Sequence, residues 1–316
     1  MNKRKVIYDC DPGHDDAIAL LIGLASEKID IVAITTSAGN QTQERTYHNV
    51  RGLLSLVKRE DIPVAKGAEK PLKRNLIIAD YIHGKTGLDG ADLPLPTVED
   101  KKQRALDLMV QMLSTSEEKI TIVATGPLTN IAILLLSHPE LKEKVESIVF
   151  MGGACFGGNY TPNSEFNIYV DPEAAEVVTN CGLPVYMFGL DVTLKAQFFK
   201  EDVEEVKNFN TQTSEVMGGL LEFFSNKIAQ PFLAPEDHIE GMHLHDACAM
   251  AYLVDPDMFT MAHLNVAVNT QEGLGLGQTV VDYNNKTKKE KNVWVGFDID
   301  LNKFRNLVKE SILKFN

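Results

Sequence analysis

The chain predicts an α/β fold: an open, mainly parallel sheet with helices on both faces, Rossmann-like, in a single domain spanning residues 1–316. Three observations carry this. Short apolar, β-branched runs alternate with helical-period segments as far as Gly189, the rhythm of βαβ units. No Ser/Gly-rich linker, internal repeat or low-complexity tract divides the sequence. Polar, oxygen-bearing residues recur just after the strand-like runs, where open α/β sheets bind ligands.

In chain order, strands are expected at Val6–Cys10, Ile31–Thr36, Ile62–Ala65, Ile120–Ala124, Ile148–Met151 and Val185–Gly189. Helices between them are expected near Asp15–Ala25, Glu44–Lys58, Lys102–Thr115, Leu128–Leu136 and Pro172–Asn180. After Lys200 the pattern changes to one long helical stretch, Glu201–Lys227, a Pro- and charge-containing loop, and a helix near Asp246–Leu253. Strands at Asn265–Val268, Thr279–Asp282 and Val293–Phe297 and a helix from Leu301 close the chain. The charge run Asn284–Lys291 reads as a solvated hairpin tip.

The bulk numbers exclude some functions. A net charge of −13 argues against nucleic acid and anionic membrane as partners. No apolar run is long enough to span a bilayer, and the N-terminus lacks the apolar core of a signal peptide. Cys10, Cys155, Cys181 and Cys248 are scattered, as expected of reduced thiols in a cytoplasmic protein.

The first motif, "VIYDCDPGHDDAIALLIGLA", crowds Asp9, Asp11, Asp15 and Asp16 where a strand ends and a helix begins. Helix capping accounts for one or two of them. It does not account for Asp11 facing Asp15 and Asp16. Like charges about 4 Å apart repel by roughly 4 kcal/mol at a protein-surface dielectric, so a divalent cation is the better explanation.

The strand ends add further candidates. The second strand leads to Asn40, the fourth to Thr125 and Gly126-Pro127, the fifth to the loop "GGACFGGNYTPNSEFN", and the sixth to Asp191. Taken singly, Asn40 suits a left-handed turn, Asp191 a helix cap, and the glycines turn geometry. The loop residues Asn159, Asn163, Glu165 and Asn167, with no Lys or Arg among them, make a poor phosphate cradle but a good polyol site. Neither GxGxxG nor the P-loop pattern occurs in the Gly-rich pieces. In "GMHLHDACAM", His243, His245 and Asp246 precede an apolar helix, and a histidine there can protonate a leaving group. Zinc at the His pair and plain loop residues are the alternatives. His83 lies in "YIHGKTGLDG" with surface and functional readings both open; His14, His48, His138 and His263 read as structural or exposed.

Together the motifs "DCDPGHDDA", "AGNQT", "IHGKTGLDG", "TGPLTNIA", "MGGACFGGNYTPNSEFNIYVDPEAA" and "LHDACAMAYLVDP" resemble the nucleoside hydrolase family, inosine–uridine-preferring type, in family order from about Val6 to Pro256. The resemblance implies a calcium ion held by Asp11, Asp16, Asp246 and the Thr125 carbonyl, its shell completed by two ribose hydroxyls and a water. An all-oxygen shell suits that hard ion. It further implies Asp15 as the general base and Asn40, Asn159, Glu165 and Asn167 on the ribose, with Met151 near it. His245 would stand beside the leaving base, His83 further out on the same side, and Asp9 behind the ligands. A homo-dimer or homo-tetramer is expected.

The chemistry fits these residue types. Cleaving an N-glycosidic bond builds positive charge on the ribose, which surrounding carboxylates and amide oxygens stabilise. A base acting on water with no enzyme nucleophile predicts inversion. The segment "FFSNKIAQPFLAPEDHIEGMHLHD" departs from the purine-tolerant pattern, carrying no Tyr or Arg that aligns with it, and "IHGKTGLDG" reads as pyrimidine-preferring. Ala247 replaces a frequent Pro, a mild change. Two rival readings are a haloacid-dehalogenase-type phosphatase using Asp9 and Asp11 as DxD, and a non-catalytic calcium-dependent sugar-binding protein.

Overall fold

The computed structural model describes residues 3–98, 102–228 and 241–315. Eight strands form the main sheet: β1 Arg4–Cys10, β2 Ile29–Thr36, β3 Val64–Lys66, β4 Ile120–Ala124, β5 Val145–Met151, β6 Val185–Phe188, β7 Phe259–Leu264 and β8 Val293–Ile299. Their order is β3-β2-β1-β4-β5-β6-β8-β7, parallel throughout except for the last pair. The α/β expectation holds.

Alternation along β1 shows how the layers arise. Val6, Tyr8 and Cys10 pack into a core with the helices His14–Ala25, Ala247–Val254 and Leu301–Leu313. Ile7 faces the opposite core, built on Ala105–Thr115, Thr129–Ser137 and Pro172–Thr179. Strands buried on both faces read as continuous apolar runs, which is why these were recognisable from sequence.

The strand order places the site. From β1 the chain proceeds outward to β2 and β3, then returns to the other side of β1 as β4. Such a reversal opens a crevice at the carboxyl ends of the two central strands. Asp11 follows β1 and Thr125 follows β4, and the Thr125 amide donates to the Asp9 carbonyl across the gap (2.9 Å).

Several expectations are corrected. The single helix over Glu201–Lys227 is two, Lys200–Lys207 and Gln212–Ile228. Asn210 adopts a left-handed φ of 55°, and the Thr211 hydroxyl receives the Ser214 amide (3.0 Å) to start the second helix. The edge strand β7, "FTMAHL", was not foreseen; Met, Ala and His are weak strand formers, and pairing with β8 decides its state. Val266–Val268 and Thr279–Val281 pair only with each other, outside the main sheet. Residues 284–291 therefore link that hairpin to β8 and are not a hairpin tip, although they are exposed. The third strand and two helices begin slightly later than expected, at Val64, Ala105 and Thr129.

Candidate active site

Carboxylate oxygens of Asp15, Asp16 and Asp246 lie within 4.8 Å of one another, all three side chains being buried. Asp15 and Asp16 sit in the first turn of the helix after β1, and Asp246 stands just ahead of helix Ala247–Val254. The two helices pack side by side, which joins residues 231 positions apart: the Asp246 amide reaches Asp15 Oδ2 at 3.5 Å.

Asp16 does part of what capping predicts, since its Oδ2 accepts the Gly13 amide at 2.9 Å. Its Oδ1 accepts the Thr125 hydroxyl (2.7 Å), and Asn40 Nδ2 donates to Oδ2 (3.0 Å). Asp11 accepts the Asn40 amide at 2.6 Å through Oδ2, while its Oδ1 is enclosed with no hydrogen-bond partner. Glycine is required on both sides of that carboxylate. A Cβ at Gly39 would stand 2.2 Å from Asp11 Oδ2, and one at Gly126 2.6 Å from Oδ1. Asn40 is not in the left-handed region, so the turn reading of that residue is set aside.

The electrostatics follow from crowding. Burial first, then the neighbouring Asp16, pushes Asp11 well above the usual carboxylate range and Asp15 up to about 7. Burial and the charges of Asp15, Asp16 and Asp11 raise Asp246 well above its ordinary value. Burial also raises Asp16. Four clustered carboxyls that resist ionisation, one with an orphaned oxygen, fit a divalent cation bound through oxygen.

Asp9 stands behind this group. Its Oδ1 accepts from the Thr35 hydroxyl and from Asn130 Nδ2 (2.8 Å), and burial raises it to about 7. Asn130 also donates to the Thr36 carbonyl (3.1 Å) and accepts the Ala68 amide (2.8 Å). Asn130 lies within the motif "TGPLTNIA", but nothing in the motif marks it as a partner of Asp9. Its link to Asp9 spans 121 positions, beyond any local spacing rule.

On the other side of Thr125 lies the Asn-rich loop. Asn167 Nδ2 donates to the Thr125 carbonyl (2.7 Å) and to the Met151 carbonyl (3.3 Å). Glu165 caps the short helix Phe166–Val170: it accepts the amides of Asn167 (2.9 Å), Ile168 (3.2 Å) and Gly153 (2.9 Å), and burial raises it to about 7. Asn159 is exposed, its Oδ1 on the Phe166 amide (2.9 Å). Asn163 points away to the Leu274 carbonyl (3.0 Å). Asp191 caps no helix end but holds the amides of Cys155 (2.6 Å) and Phe156 (3.2 Å).

Two histidines stand beside this group: His83, buried against Gly13, and His245, half-buried next to Asp246. Nδ1 of His245 lies 2.8 Å from the Thr193 hydroxyl, a partner not expected from sequence. Burial, aided by His243, lowers His245 to about 3. His83 is buried and its ring is lowered well below the ordinary value, first by burial and then by His14 and His245. His14 is also buried and interacts with His83 and Asp89, so it has partners that the sequence did not show. Among the other histidines, His48 is exposed, His138 lies 3.1 Å from Glu140, and His263 stacks on Trp294. Residues 229–240, with His238 and part of the segment expected to govern selectivity, lie outside the described residues.

Comparison with known proteins adds the family. Residues 6–306 match the model described as inosine-uridine preferring nucleoside hydrolase. The chain is 48% identical over 312 residues to the pyrimidine-specific ribonucleoside hydrolase RihA of Photobacterium profundum, covering 99% of each. It is 50% identical over 310 residues to the protein of the same name from Escherichia coli, covering 98% of each. Among solved structures, a plant nucleoside hydrolase superposes with a TM-score of 0.91 at 32% identity, covering 99% of each chain. The purine-preferring ribonucleoside hydrolase of Gardnerella vaginalis also gives 0.91, at 29% identity and 99% coverage of each. This displaces the phosphatase reading, and Asp9, fully enclosed between Thr35 and Asn130, is no exposed nucleophile. The chain belongs to the inosine–uridine preferring nucleoside hydrolase family and is a ribonucleoside hydrolase that cleaves the N-glycosidic bond.

Proposed function

We propose that the protein hydrolyses pyrimidine ribonucleosides, uridine and cytidine, to free base and ribose with calcium as its cofactor. The observation that carries the reading is the convergence of Asp15, Asp16 and Asp246, from both ends of the chain, on one buried point. That point is flanked by Asn40 and by Asn167, whose amides can meet a diol. The pyrimidine preference rests on the two RihA relatives and on the "IHGKTGLDG" loop.

Asp11, Asp16, Asp246 and the Thr125 carbonyl would hold the cation. Calcium suits an all-oxygen donor set, and when bound it would acidify a water and orient the ribose hydroxyls. Asp15 takes the proton from the attacking water; a carboxylate raised by burial is a better base than one at the surface. Asn40, Asn159, Glu165 and Asn167 bind the ribose beside Met151 and stabilise the positive charge that develops on it. Glu165 also fixes the short helix that carries Asn167. His245 assists departure of the base, held by Thr193, and His83 lines the same side. No side chain attacks the sugar, so the product inverts.

The reading includes one catalytic unit over residues 1–316, supported by a sheet whose strands run from Arg4 to Ile299. It also includes a cytoplasmic homo-dimer or homo-tetramer. No described helix is long and apolar enough to cross a membrane, and the four cysteines are free. Phe156 and Tyr283 stack edge to face while 67% and 52% exposed, an apolar feature that a second copy would cover. Steady-state kinetics on uridine, cytidine, inosine and adenosine with calcium test the function. Faster turnover of uridine and cytidine is expected; faster turnover of inosine would overturn the pyrimidine preference, and no turnover of any would overturn the reading.

A further inference from the structure

His14 makes contacts that the mechanism above does not use. Its ring stacks on Phe224 (centroids 5.1 Å apart, planes 4° apart) and on Phe223 (5.3 Å, 12°). Its Nε2 lies 2.8 Å from the backbone carbonyl of Asp89, and its Nδ1 lies 3.1 Å from Nδ1 of His83. A carbonyl oxygen can only accept, so the His14 proton belongs on Nε2. With one proton on the ring, His14 Nδ1 is an acceptor. His83 must then donate through Nδ1–H, which leaves its Nε2 bare.

The His14 amide also lies 3.4 Å from His83 Nδ1. As a true hydrogen bond it would make that nitrogen an acceptor and force a second proton onto His14. Burial among aromatic rings opposes such a cation, and the shorter ring-to-ring contact decides the proton's place. The Asp89 carbonyl is itself held firmly. The Asp89 carboxylate accepts the amides of Lys85 (3.1 Å) and Thr86 (3.0 Å), and Asn49 ties the loop to the first motif through the carbonyls of Thr86 (3.0 Å) and Pro12 (3.1 Å). Gly84, at a φ of 80°, lets this turn close, since a Cβ there would stand 2.2 Å from Asp89 Oδ2.

We propose that His14 is a positioning residue which, braced on the Asp89 carbonyl, fixes the orientation and tautomer of His83 so that His83 meets the leaving base with an unprotonated Nε2. The proposal rests on the reading that His83 lines the base side of the crevice. A ring whose only proton points inward accepts an N–H from the base and gives it no proton. Leaving-group protonation then falls to another group.

Nitrogen-15 NMR of the calcium-loaded protein with labelled histidine tests this, the His83 signals being assigned by their loss in His83→Gln. Protonated Nδ1 and bare Nε2 are expected on His83; the opposite tautomer overturns the proposal, with or without turnover. His14→Phe keeps the stack but removes the relay. It should mix the His83 tautomers and lower kcat/KM on uridine about tenfold, the size of one lost hydrogen bond. On p-nitrophenyl riboside, which has no base edge, the loss should be smaller. His14→Asn, whose Oδ1 can accept from His83, should restore the Nδ1–H form. Equal losses on both substrates with unchanged tautomers would show that His14 only supports the helix start, and would overturn the proposal. Should His14→Phe fail to fold, the wild-type spectrum still decides. A wild-type protein inactive on every nucleoside but showing the expected tautomer would sink the functional reading, and with it the role toward the base, while the His14–His83 tautomer assignment would stand.

Discussion

At the scale of single residues, the division of labour among neighbouring aspartates is testable. Asp15 accepts the Asp246 amide only weakly, at 3.5 Å, whereas Asp16 is fully engaged by Gly13, Asn40 and Thr125. With Asp11, Asp16 and Asp246 given to the cation in the proposed reading, Asp15 is the carboxylate of the cluster left to take a proton. Asp15→Asn should therefore slow uridine turnover by about a thousandfold, in the middle of the range for general-base removal, with calcium still bound in isothermal titration. Normal turnover would show that Asp15 is not the base. His245→Ala should slow uridine far more than p-nitrophenyl riboside, because an activated leaving group needs no help; parallel losses in steady-state assays would count against leaving-group assistance. Most of these side chains were legible because they sit next to strand ends. Asn130, Thr193 and His14 were not, since their partners lie 121, 52 and 69 positions away and nothing in local spacing reports such pairs.

At the scale of elements, continuous apolar runs made the central strands readable, and amphipathic period made the helices so. What failed was settled by contacts distant in sequence. β7 is a strand because β8 pairs with it, and the helix over Glu201–Lys227 breaks where Asn210 turns left-handed. The first half of that pair, Lys200–Lys207, is fastened to the C-terminal helix by Asp202. Its carboxylate accepts from Nε and Nη2 of Arg305, each at 2.8 Å, and from the Phe199 amide at 2.9 Å, with Lys309 Nζ at 3.5 Å. Burial raises Asp202, but these donors outweigh it and hold the carboxyl below its ordinary value. A depressed carboxyl stabilises the fold above the unfolded value near 3.8, and that contribution disappears as pH falls through the lower folded value. Asp202→Asn should cost about 2 kcal/mol at neutral pH. In urea titrations the gap between wild type and variant should narrow below about pH 4; a gap independent of pH would mean the ion pair is not its source.

At the scale of the whole molecule, the proposed cation would tie together two segments that also meet through helix packing and the Asp246–Asp15 hydrogen bond. Helix His14–Ala25 brings Asp15 and Asp16, and helix Ala247–Val254 follows Asp246. Removing calcium with a chelator should abolish turnover and lower the melting temperature, and adding calcium back should restore both. With calcium at about 100 times its dissociation constant, the gain should be about 2.7 kcal/mol. A melting temperature indifferent to chelator would argue that no ion bridges the carboxylates. Full activity in chelator would remove the cofactor from the mechanism.

The reversal of strand order beside β1 has a consequence for biosynthesis. Asp15 leaves the ribosome early, yet its companion Asp246 is made 231 residues later. At elongation rates of about 5–20 residues per second the nascent chain spends many seconds with an acidic pocket that lacks its far wall. An ion held in the way proposed above would therefore not guide the first folding steps; it would seal a product already assembled, and a truncated chain lacking Asp246 would fail to hold it.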